Sequence, residues 1–190
     1  MGGDSTLNNF RHIPRKRFGQ HWLKDQGVLD QIVKAAELNP EDCVLEVGPG
    51  KGALTEKLIE SQARFIQAIE LDRDLVVGLK KRFSHQSKFS LREGDVLSAP
   101  LEAENGLIIN KVVANIPYNI TGPLLKRLIG ELRKAPENSF ETLVLLMQKE
   151  VAQRLVALPG TSSFSALSVR IQLLAKCQDV CDVPSKCFQP

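Results

Sequence analysis

"VLEVGPGKGALT", Val44 to Thr55, decides how the chain folds. The apolar run Cys43 to Val47 reads as a buried strand, Gly48-Pro49-Gly50 stops it, and a helix is expected from about Gly52. A glycine-rich turn between strand and helix lets backbone come close to a ligand and aims free helix N–H groups at it. The phosphate-binding versions of this turn do not fit. A P-loop needs GxxxxGK followed by Ser or Thr, and the dinucleotide fingerprint GxGxxG needs glycine where Ala53 stands. The residues read instead E-x-G-x-G-x-G, Glu46 to Gly52. A tight turn that binds nothing is the plain alternative for such a loop.

Outward from this stretch, strand and helix alternate. Upstream, Val28, Leu29, Ile32, Val33 and Ala36 recur at helical spacing from Asp25 up to Pro40. Downstream, a strand is expected from Phe65 to Leu71 and a helix from about Asp72 to Phe83. Further strands are expected at Phe89 to Arg92, Lys111 to Ile116 and Thr142 to Met147. The expected fold is α/β and Rossmann-like, a central, mostly parallel sheet with helices on both faces. Residues 1 to 17 read as a flexible basic arm and 18 to 190 as one domain.

Acids mark where a ligand would lie. Glu70 ends the second strand about 20 residues beyond the loop, where doubly wound folds place a carboxylate to accept both ribose hydroxyls. Asp95, in "EGDVL", follows the third strand, in reach of an adenine amino group. Glu46 lies under the loop, placed to face a cationic group or to order the glycines. Each alone is commonly a strand-end residue. Together they describe a pocket for an adenosine without phosphates, which S-adenosylmethionine fits best.

"NIPYNI", residues 115 to 120, follows the apolar Val112, Val113 and Ala114. The end of this fourth strand adjoins the point where such sheets bind ligands. The Asn115 side-chain oxygen and the Ile116 carbonyl, fixed by Pro117, offer two acceptors for an exocyclic amine. Held by its N–H bonds, an adenine amine, whose lone pair is delocalised into the ring, is directed at a methyl donor. Tyr118 is placed to stack on a flipped base. A proline turn with a capping Asn and a packed Tyr is the simpler reading.

Bulk properties set limits. The 190 residues are 43% hydrophobic and 25% charged, ordinary globular usage for one main domain. No apolar run approaches the roughly 18 residues of a membrane span, and no signal peptide is visible, so a cytoplasmic or organelle-interior protein is expected. Cys43, Cys177, Cys181 and Cys187 form no CxxC pair and have no nearby histidine, so reduced thiols and no metal site are expected. The net charge of +3 says little about partners, but its distribution says more. Arg11, Arg15, Lys16 and Arg17 form one basic cluster, Lys80, Lys81 and Arg82 a second, and Lys126, Arg127 and Arg133 a third. Any one is read as a solvated face; three suit an anionic partner.

The combination resembles the small-subunit rRNA adenine dimethyltransferases, whose relatives are the erythromycin-resistance rRNA methyltransferases and the mitochondrial transcription factor B proteins. The resemblance runs from about Arg15 to the last residue. Phe18 to Leu23 is similar to the family's motif over the cofactor, "VLEVGPGKGALT" to its methionine-binding loop and "IELD" to its ribose carboxylate. "EGDVL" is similar to its adenine site, "NIPYNIT" to its catalytic loop, and "MQKEVAQRL" and "SALSV" to its later motifs. The resemblance implies a class I S-adenosylmethionine-dependent methyltransferase fold. Gln20, His21, Leu23, Glu46, Gly48, Gly50, Glu70, Leu71, Asp95, Val96 and Asn115 would contact the cofactor. Asn115, Ile116, Pro117, Tyr118 and Phe188 would form the catalytic site, with Phe188 opposite Tyr118 across the base. The implied substrate is two adjacent adenines in the 3′-terminal hairpin loop of small-subunit (16S) rRNA, dimethylated late in subunit assembly by a monomer. Lys149, Arg154 and the basic arm would meet the rRNA backbone.

The chain departs from the family pattern in three places. His21 stands where many members have Asn, and Phe164 where Tyr is usual. The chain also stops at Pro190, where the family continues into a small helical domain, so a catalytic-domain fragment that binds cofactor and recognises rRNA poorly is expected. The alternatives are a large-subunit rRNA methyltransferase of the resistance type and an RNA-binding assembly or transcription factor whose methylation is dispensable. DNA adenine methylation fits less well without an insertion to read a duplex, and hydride transfer fails with its fingerprint.

Overall fold

The computed structural model describes residues 22–136 and 138–189. The Val44 to Thr55 stretch forms strand β2 (Cys43–Val47), the glycine loop and helix α2 (Ala53–Glu60). Then follow β3 (Phe65–Glu70), α3 (Arg73–Arg82), β4 (Phe89–Glu93), β5 (Lys111–Asn115), α4 (Thr121–Ile129) and β6 (Thr142–Leu146). Helix α1 (Gln26–Ala35) precedes β2, and α5 (Lys149–Val156) and α6 (Ala166–Leu174) follow β6. The five strands pair in parallel in the order β4-β3-β2-β5-β6. The chain thus builds outward from β2 to β4, returns across the sheet, and continues from β5 on the other side. That reversal opens a crevice at the carboxyl ends of β2 and β5.

Side-chain alternation divides the core. Val44, Ile66, Ala68 and Val113 pack under α1, α2 and α3 with Leu29, Leu58 and Leu79. Leu45, Val47, Ile69, Val112 and Ala114 face the other way, against Leu124 and Leu128 of α4. A third, smaller cluster joins Leu125 of α4 to Leu155 of α5 and Ile171 of α6. Every residue of β2 is buried, as its continuous apolar run requires of a strand covered on both faces.

Two expectations differ from the structure. Helix α1 ends at Ala35, short of Pro40, because Asn39 and Asp42 make a polar turn: Asn39 N donates to Asp42 Oδ2 at 2.7 Å and Glu41 N to Asn39 Oδ1 at 2.9 Å. Between β4 and β5 no helix forms. That crossover carries Pro100 and Gly106, and Val96, Leu101, Ala103 and Ile109 fill the core directly. Arginines replace the missing helical hydrogen bonds. Arg92 donates to the carbonyls of Pro100 and Glu102, and Arg127 of α4 to those of Val96 and Ala99.

At the opposite end of the sheet, Lys111 ties α1 to β5. Its buried Nζ donates to the carbonyls of Ala36 and Glu37, each at 2.9 Å, and lies 3.0 Å from Asp42 Oδ2. Burial alone would raise the Asp42 carboxyl, but hydrogen bonds from Asn110, from the Asn39 backbone and from Lys111 outweigh it and hold the group below its usual range. Lys111→Met takes the buried cation from that carboxylate and a donor from two helix-terminal carbonyls. We expect a loss of about 3 kcal/mol in urea denaturation at pH 7. The loss should shrink as Asp42 becomes protonated at acid pH, since a depressed carboxyl stabilises the fold only above its folded pKa.

Candidate functional site

The glycine loop is pressed from both sides. Gly50 has φ +59°, and a β-carbon there would stand 2.9 Å from Trp22 Cδ1. Gly52 has φ +84°, and a β-carbon there would stand 2.8 Å from Phe83 Cε2. Only glycine satisfies both the left-handed backbone and the contact. The loop is also bolted to β3: Gly48 N donates to Ile69 O at 3.0 Å, and Gly50 N to Glu70 Oε2 at 3.1 Å. The other Glu70 oxygen accepts from Asp72 N at 2.9 Å, so one carboxylate fastens the turns after β2 and β3 together.

Beside this loop lies a cavity of about 340 Å³. Its wall collects residues from the ends of four strands: Glu46 and Gly48 at β2, Glu70 and Leu71 at β3, Asp95 and Val96 after β4, and Asn115 at β5. Ile116, Pro117 and Tyr118 continue the wall. Ile116 N donates to Leu146 O at 2.9 Å, Pro117 has φ −58° and ψ 136°, and a single 3-10 turn begins at Tyr118, which is 44% exposed. A further part of the wall is a two-stranded antiparallel ribbon of β1 (Trp22–Leu23) and β7 (Phe188–Gln189), in which Leu23 opposes Phe188. All described residues of the expected site therefore line one cavity. Gln20 and His21 lie outside the described residues, as does the basic arm.

The electrostatics are unusual. Glu46 is fully buried, and neither of its oxygens has a hydrogen-bond partner among the described residues. Burial pushes its carboxyl from an ordinary 4.5 up to about 8; the nearby Thr55 hydroxyl counters this in part and Glu70 adds to it. The Thr55 hydroxyl does not complete hydrogen-bonding geometry with it. Glu70 is raised as well, by burial first, with the N–H groups of Asp72 and Gly50 pulling it back. Asp95 is exposed, and its Oδ1 accepts from Leu97 N at 2.9 Å. Such a wall offers acceptors to ribose hydroxyls and to a cationic centre.

Sequence reading missed Trp22 and Lys51, both on the cavity wall, with Lys51 Nζ 3.8 Å from the centre of the indole ring. Several of the basic side chains also make contacts within the fold. Arg127 turns inward to the Val96 and Ala99 carbonyls, and Arg82 holds the Lys51 carbonyl at 2.8 Å and Glu56 at 2.8 Å. Lys126 pairs with Glu131 at 2.6 Å, and Lys149 with Asp182 at 2.7 Å. Among the described residues no helix is long and apolar enough to cross a membrane.

A family model described as ribosomal RNA adenine dimethylase matches residues 11–190. The chain belongs to the ribosomal RNA adenine dimethylase family. It is 94% identical over all 190 residues to the ribosomal RNA small subunit methyltransferase A of Prochlorococcus marinus (strain NATL2A), and 68% identical over 179 residues (94% of the chain) to that of Synechococcus sp. (strain CC9902). The chain spans 65% of the length of each. A dimethyladenosine transferase from Plasmodium falciparum superposes with a TM-score of 0.78 at 34% identity, over 88% of this chain and 58% of that one. The 23S rRNA methyltransferase ErmE superposes with a TM-score of 0.59 at 31% identity, over 70% and 50%. The sheet and its crevice are thus those of a class I, Rossmann-like methyltransferase.

For this family member, Glu46 ties stability to pH. Folding holds a proton that the unfolded chain releases near 4.5, so stability falls as pH rises from there to about 8. Glu46→Gln removes this dependence. In urea denaturation the variant should match the parent near pH 4 and exceed it at pH 9; parallel curves across that range would contradict a buried, proton-holding Glu46.

Proposed function

We propose that this chain is the catalytic domain of an enzyme that methylates adenine amines in small-subunit rRNA, with S-adenosylmethionine as methyl donor. On this reading residues 18–190 make up the catalytic domain, preceded by a basic arm at residues 1–17. The observation that carries the proposal is one cavity wall holding Asn115-Ile116-Pro117-Tyr118 beside three acids at strand ends, in a chain of the adenine dimethylase family. The orphaned, buried Glu46 carboxyl group is the feature a cationic ligand answers. When bound, S-adenosylmethionine supplies an electrophilic methyl group on a sulfonium.

The chain's residues do the rest by position. Glu70 accepts the ribose hydroxyls, and Asp95 with the Val96 backbone takes the adenine edge of the cofactor. Glu46, Gly48 and Gly50 lie along its amino-acid portion, and Leu23 and Leu71 flank it. Gln20 and His21, which precede Leu23 in the same motif, are assigned to the cofactor as well. The Asn115 side-chain oxygen and the Ile116 carbonyl accept the two N–H bonds of the target amine, which frees its lone pair from the ring and aims it. Pro117 fixes that carbonyl, and Tyr118 and Phe188 stack on the extruded base. No general base is required, because the methylated amine is acidic enough to lose its proton after transfer.

The finer reading assigns the two adjacent adenines of the 3′-terminal hairpin loop, dimethylated in the assembling small subunit, with Lys149, Arg154 and the basic arm along the rRNA backbone and a monomer in the cytoplasm as the acting form. It is tested by transfer of labelled methyl to small subunits purified without their adenine methylation, followed by mapping of the labelled nucleotide. Label should appear as dimethyladenine in that hairpin, and Asn115→Ala should reduce the rate by about 100-fold while cofactor binding persists. Label in large-subunit RNA would assign the chain to the resistance type. No label from a chain extended to its relatives' full length, with cofactor still bound, would leave an RNA-binding factor.

A further inference from the structure

Among the described residues lining the cavity, Lys51 is the only cation, set against Glu46, Glu70 and Asp95. It occupies the tip of the glycine loop, between two glycines whose backbones only glycine tolerates. Its carbonyl is held by Arg82, which is itself held by Glu56. Its ammonium rests over the Trp22 ring, 3.8 Å from the centroid, and among the described residues it has no carboxylate partner. A loop fixed on its backbone, with its one flexible side chain laid on a buried indole, presents a pre-positioned charge.

The ligand proposed above is a zwitterion on its amino-acid side. Acids answer its cationic group and ribose, but none of them offers its carboxylate a positive partner. The wall needs one positive group on the loop side of the cavity to hold that carboxylate, and Lys51 stands there. Resting on that reading, we propose that Lys51 is a specificity-determining residue that pairs with the ligand's amino-acid carboxylate, so that the site distinguishes intact S-adenosylmethionine from its decarboxylated form. The Trp22 ring keeps the ammonium in place in the free protein, so little side-chain freedom is lost on binding. A charge-assisted hydrogen bond of this kind supports roughly a tenfold effect on affinity.

The test measures binding of S-adenosylmethionine and of decarboxylated S-adenosylmethionine to the 190-residue chain by calorimetry, with Trp22, the single tryptophan, as a fluorescence reporter. Lys51→Gln keeps much of the stem that covers Trp22 and removes the charge; Lys51→Arg keeps the charge. The parent should prefer the intact ligand. Lys51→Gln should weaken it about tenfold and leave the decarboxylated ligand within about twofold, and Lys51→Arg should restore the preference. Equal weakening of both ligands by Lys51→Gln would reduce Lys51 to a structural prop for Trp22 and overturn the proposal. Unchanged discrimination with weaker RNA binding would assign the ammonium to phosphate and overturn it also. Failure of the parent to bind either ligand would remove the functional reading on which the proposal stands, a result distinct from both.

Discussion

Strand β2 uses both of its edges on parallel partners, β3 on one side and β5 on the other, and the rest of the molecule hangs from that arrangement. Because the chain reverses direction of growth at β2, the turns leaving β2 and β5 diverge to opposite faces and leave a gap between them. A strand with two partners and two covered faces is also rigid. Rigidity there is what allows the next five residues to hold three left-handed glycines, Gly50 against Trp22 and Gly52 against Phe83, without collapse. Glu70 completes the scaffold by accepting from Gly50 and Asp72 at once, so the loop after β2 cannot shift without moving the end of β3.

This scaffold carries an electrostatic load. Register puts Glu46 between Ala68 and Val113, on the face covered by α1, α2 and α3. An ionised carboxylate there would cost several kcal/mol, so the fold holds it as the neutral acid. The small Ala68 beside it leaves room that a large aliphatic side chain would fill. A buried acid without partners is a poor choice for stability and a good one for a wall that must meet a cation.

The parts of the fold legible in sequence are those with local causes. β2, β3 and α3 follow from apolar runs, a glycine stop and the Asp72 cap, and their bounds lie within a residue of expectation. The cavity residues were legible because strand ends in such sheets converge. What stayed hidden has non-local causes. β1 and β7 are two residues each and pair across the ends of the described chain, so neither has a periodic signature. The basic clusters carry no mark of direction in sequence. Arg127 faces carbonyls because the β4 to β5 crossover lacks a helix, and nothing at positions 126 to 133 reports that. Lys51 was passed over as one loop residue among glycines, since only the fold brings Trp22 beneath it.

The ribbon of β1 and β7 differs from the other walls in how it is held. Two residues per strand give few hydrogen bonds, with Lys24 N to Cys187 O at 2.9 Å adding one more. Its anchorage comes instead from side chains, Trp22 and Leu23 being 8% and 7% exposed. Each such burial contributes about 2 kcal/mol, and both side chains line the cavity. The ribbon's stability is therefore set by what it packs against, the glycine loop on one side and the cavity contents on the other. A ligand that fills the cavity extends the surface on which Trp22 and Phe188 rest, and so tightens the one wall that the backbone alone holds weakly.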